Sequence, residues 1–297
     1  MALLRWGVPS VPPLKQRAPH QVKVLGRRFS VAAGTRTAAL RMSPSFVLAG
    51  AQRCGTTSLF RALMAHPSVL GPVHHKGVNY FDVNYARGRS WYLGHFPVRT
   101  LAHVRTRGTA MTFEASGYYV YHPHAAVRLA SDLPDVKVLV MLRDPVERAY
   151  SAYKHEFARG FETETFERAL ELEDERIQPD LDRMLADPHH YGSSHRHHSY
   201  RRRGQYAEQL QRVVDALGRD RLHVVDSARF FASPQEEFSR VTDFLGLARP
   251  EGIAYDRWNA RPGSRMPLAA ETFLRESLAP HDQALERLLG ERPSWCR

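Results

Sequence analysis

Short apolar runs alternate along this chain with longer stretches of helical period. Residues 46–49 (FVLA), 110–114 (AMTFE), 137–142 (KVLVML) and 222–225 (LHVV) read as strands, the first and third of them buried. Helical spacing follows over 58–64, where Leu59 and Leu63 share a face, and over 125–133, 146–159, 165–172, 205–217 and 235–245. Two more helices are expected at the end of the chain, over 269–278 and 281–289. Between 174 and 203 the pattern breaks at Pro179, Pro188 and Gly192, which predicts irregular chain. Strands alternating with helices predict an α/β fold with a central parallel sheet flanked by helices, in one large domain or two small ones.

The candidate chemistry gathers where two strands hand over to helices. The first junction reads Gly50-Ala51-Gln52-Arg53-Cys54-Gly55-Thr56-Thr57. Glycines let a backbone turn and approach an anion closely, and a helix N-terminus offers it free N–H groups. Thr56 and Thr57 are expected to cap the helix and to donate hydroxyl hydrogen bonds. The spacing of Gly50 and Gly55 matches G-x-x-x-x-G-K-[ST], but Thr56 stands where that motif needs Lys, and the cation of the turn is Arg53. A phosphate site is expected, held differently from that of an ordinary ATPase; a bare turn closed by glycines would share the spacing. At the second junction Arg143-Asp144-Pro145 ends a strand, and Ser151 follows about two turns into the helix. Ligands of open parallel sheets gather at the carboxyl ends of strands, so Arg143 and Ser151 are placed to share a phosphate. The plainer alternative is that Arg143 pairs with Asp144 or Glu147 while Ser151 packs.

Charge changes the picture modestly. The chain carries 42 Lys and Arg against 31 Asp and Glu, a net +11, which points to an anionic ligand or surface. Nucleic acid is disfavoured, since no zinc finger, RNP-like aromatic motif or helix-turn-helix pattern is present. No run approaches eighteen apolar residues, so no transmembrane segment is expected. Cys54 and Cys296 make no disulfide framework, which fits a reducing, cytoplasmic setting. Residues 1–44 hold eight Lys and Arg, no carboxylate, and Pro9, Pro12, Pro13 and Pro19; they read as a basic, disordered tail. The histidine- and arginine-dense stretch 189–203 reads as a flexible basic loop, because it lacks the paired Cys or His-Glu-x-x-His frame of a zinc site.

Residues 49–59 (AGAQRCGTTSL) resemble the 5′-phosphosulfate loop of the sulfotransferases that use 3′-phosphoadenylyl sulfate (PAPS). Residues 142–151 (LRDPVERAYS) resemble the 3′-phosphate motif of the same family. Residues 76–82 (KGVNYFD) resemble a third element, found in the branch of heparan sulfate sulfotransferases and bacterial carbohydrate-type relatives. The resemblance covers roughly residues 45–290 and implies a single P-loop-like α/β domain over residues 45–297, and transfer of a sulfonate group from PAPS to a hydroxyl or amine, on a carbohydrate or small-molecule acceptor, without a metal. It implies that Arg53 lies beside the bridging oxygen and the sulfonate, that Cys54, Gly55, Thr56, Thr57 and Ser58 wrap the 5′-phosphate, and that Arg143 and Ser151 bind the 3′-phosphate. It places Arg261, Gly263, Ser264 and Arg265 in a basic-glycine loop over the nucleotide, and Lys76 against the sulfonate. The family's Glu after that Lys, its candidate base, is Gly77 here, and its His two places on is Asn79. His75, Asp82 and Glu114 are the remaining candidates for the base, with Glu114 and His75 ahead of Asp82. The rival, a P-loop nucleotide kinase or NTPase, needs Lys at 56 and a magnesium-binding Asp, for which Asp144 is the candidate.

Overall fold

The uninterrupted apolar runs become the middle of a five-stranded sheet. The computed structural model describes residues 20–250, 252–255 and 265–296, without the side chains of 20–25 and 28. Strands β1 (Phe46–Gly50), β2 (Val69–Leu70), β3 (Met111–Ala115), β4 (Lys137–Leu142) and β5 (Leu222–Asp226) all pair in parallel, in the order β2-β3-β1-β4-β5. Every residue of β1 is buried, as is β4 from Val138 onward; both faces of a parallel sheet lie under helices, so their strands carry apolar residues without alternation. Phe46 stands opposite Phe113 on one side and Lys137 on the other, and its ring stacks on that of Phe113 at 4.7 Å.

The helices are α1 (His20–Arg36), α2 (Thr56–Ala65), α3 (Arg89–Leu93), α4 (Arg99–Arg105), α5 (Ala125–Asp132), α6 (Pro145–Ala158) and α7 (Phe166–Glu171). They continue as α8 (Glu173–Ala186), α9 (Ser193–His197), α10 (Tyr206–Leu217), α11 (Ser227–Ala232), α12 (Pro234–Leu245) and α13 (Leu268–Leu289). The chain leaves β1 toward the β2 edge and leaves β4 toward the β5 edge. Departures in opposite directions from adjacent strands open a crevice at their carboxyl ends, where open α/β sheets hold ligands. The two junctions singled out in the sequence are therefore neighbours across that crevice.

Three expectations need correction. Residues 20–36, expected within the disordered tail, form α1, which starts after the last of the four prolines and packs on α3 so closely that a Cβ on Gly34 would collide with the Gly94 backbone. Residues 174–203 are largely helical. α8 runs through Pro179 because Ile177 and Met184 are buried along it, and the Glu173 carboxylate at its start takes the backbone N–H groups of Arg201 and Arg202 at 2.7 and 2.8 Å. Far from being solvated, the stretch buries His195, His197, Tyr200 and Arg203. The two terminal helices are one, α13, continuous through Pro280. An interior proline costs about 3 kcal/mol, and burying Leu274, Leu278 and Leu285 on one face offsets it.

Candidate active site

Glycine geometry shapes the first junction. Gly50 has φ +147° and Gly55 has φ +94°, and Gly55 is the N-cap of α2 with no side chain capping it. A helix start without a side-chain cap turns its N–H groups and its positive dipole end toward the crevice, the arrangement that binds anions, and Ser58 N closes the turn by donating to Gly55 O at 2.9 Å. Thr56 and Thr57 are not caps; they occupy the first helical positions, and their hydroxyls accept from Lys76 Nζ at 3.1 and 3.3 Å. Burial pushes the Lys76 ammonium down to about 8. Arg53, at φ 70°, donates from Nε to Ser151 Oγ at 3.0 Å. One hydrogen bond therefore spans the crevice from the loop after β1 to α6, and two cations stand at the mouth of α2.

The loop after β4 is tied to the same place from below. Ala51 N–H donates to Met141 O at 2.9 Å, and Tyr206 OH donates to Arg143 O at 2.9 Å while lying 3.8 Å from Cys54 Sγ. Asp144 caps α6, taking the N–H groups of Val146 and Glu147, and its other oxygen faces Arg275 at 3.3 Å. The Arg143 guanidinium is paired with Glu147 at 2.6 Å, on the rim of the crevice. The plainer expectation for Arg143 thus holds in this state, and a phosphate there would meet a guanidinium already oriented.

A model of one family, described as "Sulfotransferase domain", matches residues 43–258. The chain belongs to the sulfotransferase family. Among relatives, it is 38% identical over 118 residues to the bifunctional heparan sulfate N-deacetylase/N-sulfotransferase 3 of Homo sapiens, covering 38% of this chain and 13% of that protein. It is 29% identical to heparan sulfate glucosamine 3-O-sulfotransferase 6 of Mus musculus, over 97% of this chain and 83% of that one. Among solved structures it resembles a sulfotransferase from Alicyclobacillus acidocaldarius with a TM-score of 0.65 at 29% identity, covering 86% of this chain and all of that one. The chain spans about an eighth to a third of the length of the first bifunctional relatives it matches.

In this member of the family the candidate bases separate by environment. Glu114 is fully buried on β3 and saturated: Oε2 accepts from Val78 N at 2.7 Å and Ser116 Oγ at 2.6 Å, and Oε1 from Tyr119 OH at 2.6 Å. Burial pushes its carboxyl up and these donors pull it back. It holds the 76–80 segment in place and has no oxygen free for an acceptor, so the expectation that it is the base is withdrawn. His75 is exposed, pushed down by partial burial and by the charge of Arg27 on α1. Asp82 is 4% exposed; Oδ1 accepts from Val83 N at 2.6 Å, whereas Oδ2 is buried with no hydrogen-bond partner among the described residues. Burial raises its carboxyl to about 6, with Val83 N–H and the charge of Arg196 opposing. The Gly77 position explains the missing family Glu: a Cβ there would run into Ala115 O and stand 2.6 Å from Ser116 Oγ.

Arg261, Gly263 and Ser264 lie outside the described residues. Arg265 is exposed, and its carbonyl accepts from Tyr150 OH at 3.1 Å, which ties that segment to α6. A network absent from the sequence reading buttresses the loop from behind. Gln52 Nε2 donates to Glu156 Oε1 at 3.0 Å, its Oε1 accepts from Arg203 Nη1, and Glu156 Oε2 pairs with His197 Nδ1 at 3.0 Å. These partners lie 41 to 151 residues apart in the chain, so no local spacing announces them.

Proposed function

We propose that this chain moves a sulfonate group from PAPS to a hydroxyl or amine of a carbohydrate acceptor. The observation that carries this reading is the pairing of cations at an uncapped helix start, with Lys76 on Thr56 and Thr57 and Arg53 on Ser151. The heparan sulfate relatives named above support a carbohydrate as the acceptor class.

The N–H groups of α2 and the hydroxyls of Thr56, Thr57 and Ser58 would hold the 5′-phosphate. Arg143 and Ser151 would hold the 3′-phosphate, Arg143 turning from Glu147 or sharing its charge between the two. As the sulfur–oxygen bond to the phosphate breaks and a bond from the acceptor oxygen or nitrogen to sulfur forms, negative charge grows on the leaving oxygen. Arg53 and Lys76 would stand beside that oxygen, held beforehand by Ser151 and by Thr56 and Thr57, which is how preorganised cations lower a barrier. Arg53 stays charged throughout and gives no proton. The acceptor's proton must go to a base, and Asp82 is the residue we assign. Among the described residues no donor reaches its Oδ2, which leaves that oxygen able to take a proton.

The kinase reading loses support at both of its requirements. Position 56 is Thr, and Asp144 is occupied as the cap of α6 and the partner of Arg275. The test is binding of adenosine 3′,5′-bisphosphate to Arg143→Ala. Losing a charge-assisted contact to phosphate is expected to weaken binding by about 10- to 100-fold. Unchanged binding, or a larger thermal shift with ATP and magnesium than with the bisphosphate, refutes the assignment.

A further inference from the structure

The charge of this chain is divided very unevenly. Residues 1–113 hold sixteen Lys and Arg and one carboxylate, a net +15, whereas the remaining 184 residues, with 26 against 30, sum to −4. That single carboxylate is Asp82, which is buried, so none of the negative charge of this segment faces outward. Its helices α1, α3 and α4 form a layer on the β2 side of the molecule. Gly34 of α1 touches Gly94, Arg41 bridges to Val98, and Arg99 reaches back to the carbonyls of Ala39 and Arg41.

Large apolar side chains stand out of this layer among the cations. Leu40 is 62% exposed, Leu101 69%, Val104 79% and, on α1, Phe29 74%. Leu101 and Val104 are three residues apart on α4 and share its outer face, because Ala102 and Thr106 fill the inner one. The Arg99 contacts to Ala39 and Arg41 bracket Leu40 beside the start of the same helix. Arg36, Arg99, Arg105 and Arg107 are exposed around them, and among the described residues none of the four is in an ion pair.

We propose that the α1–α4 layer is a docking face for an anionic lipid bilayer. Cations alone would fit any polyanion. Leucine and valine standing in water between arginines fit the interface of a membrane, where the apolar groups enter the acyl boundary and the guanidinium groups meet headgroup phosphates. Docking this way does not depend on the transfer reaction proposed above.

The experiment is co-sedimentation of the full chain with vesicles of phosphatidylcholine alone and with vesicles enriched in phosphatidylserine. Three proteins are compared: the wild type, Leu101→Ser/Val104→Ser, and Arg99→Gln/Arg105→Gln/Arg107→Gln. Wild type is expected on the phosphatidylserine vesicles only. Partitioning should fall about tenfold or more in the apolar variant and about a hundredfold in the arginine variant. A cooperative thermal melt at the wild-type Tm verifies that each variant is folded. Absence of wild-type binding overturns the proposal. So does undiminished binding by the apolar variant alongside loss in the arginine variant, which would mark a surface for a soluble polyanion, and so does undiminished binding by both.

Discussion

Asp82→Asn tests the assignment of the base through stability as well as rate. In the fold Asp82 is almost wholly buried, one oxygen has no partner, and its carboxyl is raised from 3.8 to about 6. A carboxyl whose folded pKa exceeds its unfolded one binds more protons folded than unfolded between those values. The native state therefore loses stability as pH rises from about 4 to 6, and the loss is complete above 6. A shift of roughly two pH units corresponds to about 3 kcal/mol at neutral pH. Asn resembles the neutral acid, so it escapes this penalty, although a buried amide N–H without an acceptor takes back about 1 kcal/mol. The remaining gain of about 2 kcal/mol corresponds to a rise in Tm of about 5 °C for a chain of this size. Parallel melts of both proteins from about pH 4 to 7.5 should show curves that nearly coincide at the acid end and separate by pH 7, with Asn the more stable. Turnover should fall about a hundredfold or more, the usual contribution of a positioned base. A stability gap that is constant with pH, or a variant less stable at pH 7, refutes the buried-charge argument. Turnover close to wild type refutes the base.

Two other expectations follow from the site. Restoring the family's carboxylate by Gly77→Glu should not restore a base but should destabilise the chain by about 2 kcal/mol or more, because the new Cβ meets Ala115 O; denaturation of Gly77→Ala, expected to lose a similar amount, separates the backbone clash from the charge. Lys76, lowered by burial to about 8, keeps its charge below that pH and loses it above, so kcat/KM should decline through about pH 8, and Lys76→Arg should abolish that limb even if it lowers the plateau; an alkaline limb unmoved by the substitution would place its origin elsewhere.

Elements with a strong local signal were legible before any coordinates. The apolar runs at 46–49 and 137–142 became β1 and β4, and Asp144-Pro145 marked the start of α6 by a cap and a first-turn proline. The two-residue β2 and the helices α3 and α4 were missed, being too short for any period to stand out. Proline was over-read at 179 and 280, where buried leucine, isoleucine and methionine side chains hold the helix together through it.

The chain's order of residues by itself determined the strand-to-helix alternation, the glycines that must turn at 50 and 55, and the cations at 53, 76 and 143, because each depends on neighbours within a few positions. Only tertiary structure decided which carboxylate is silenced and which is left with an empty oxygen. Glu114 and Asp82 are equivalent acids in a list of letters, and they differ because Val78, Ser116 and Tyr119 converge on one of them while no donor reaches Oδ2 of the other. Burial and hydrogen-bond supply come from chain segments brought together by the fold, and a carboxyl group's chemistry follows from those surroundings.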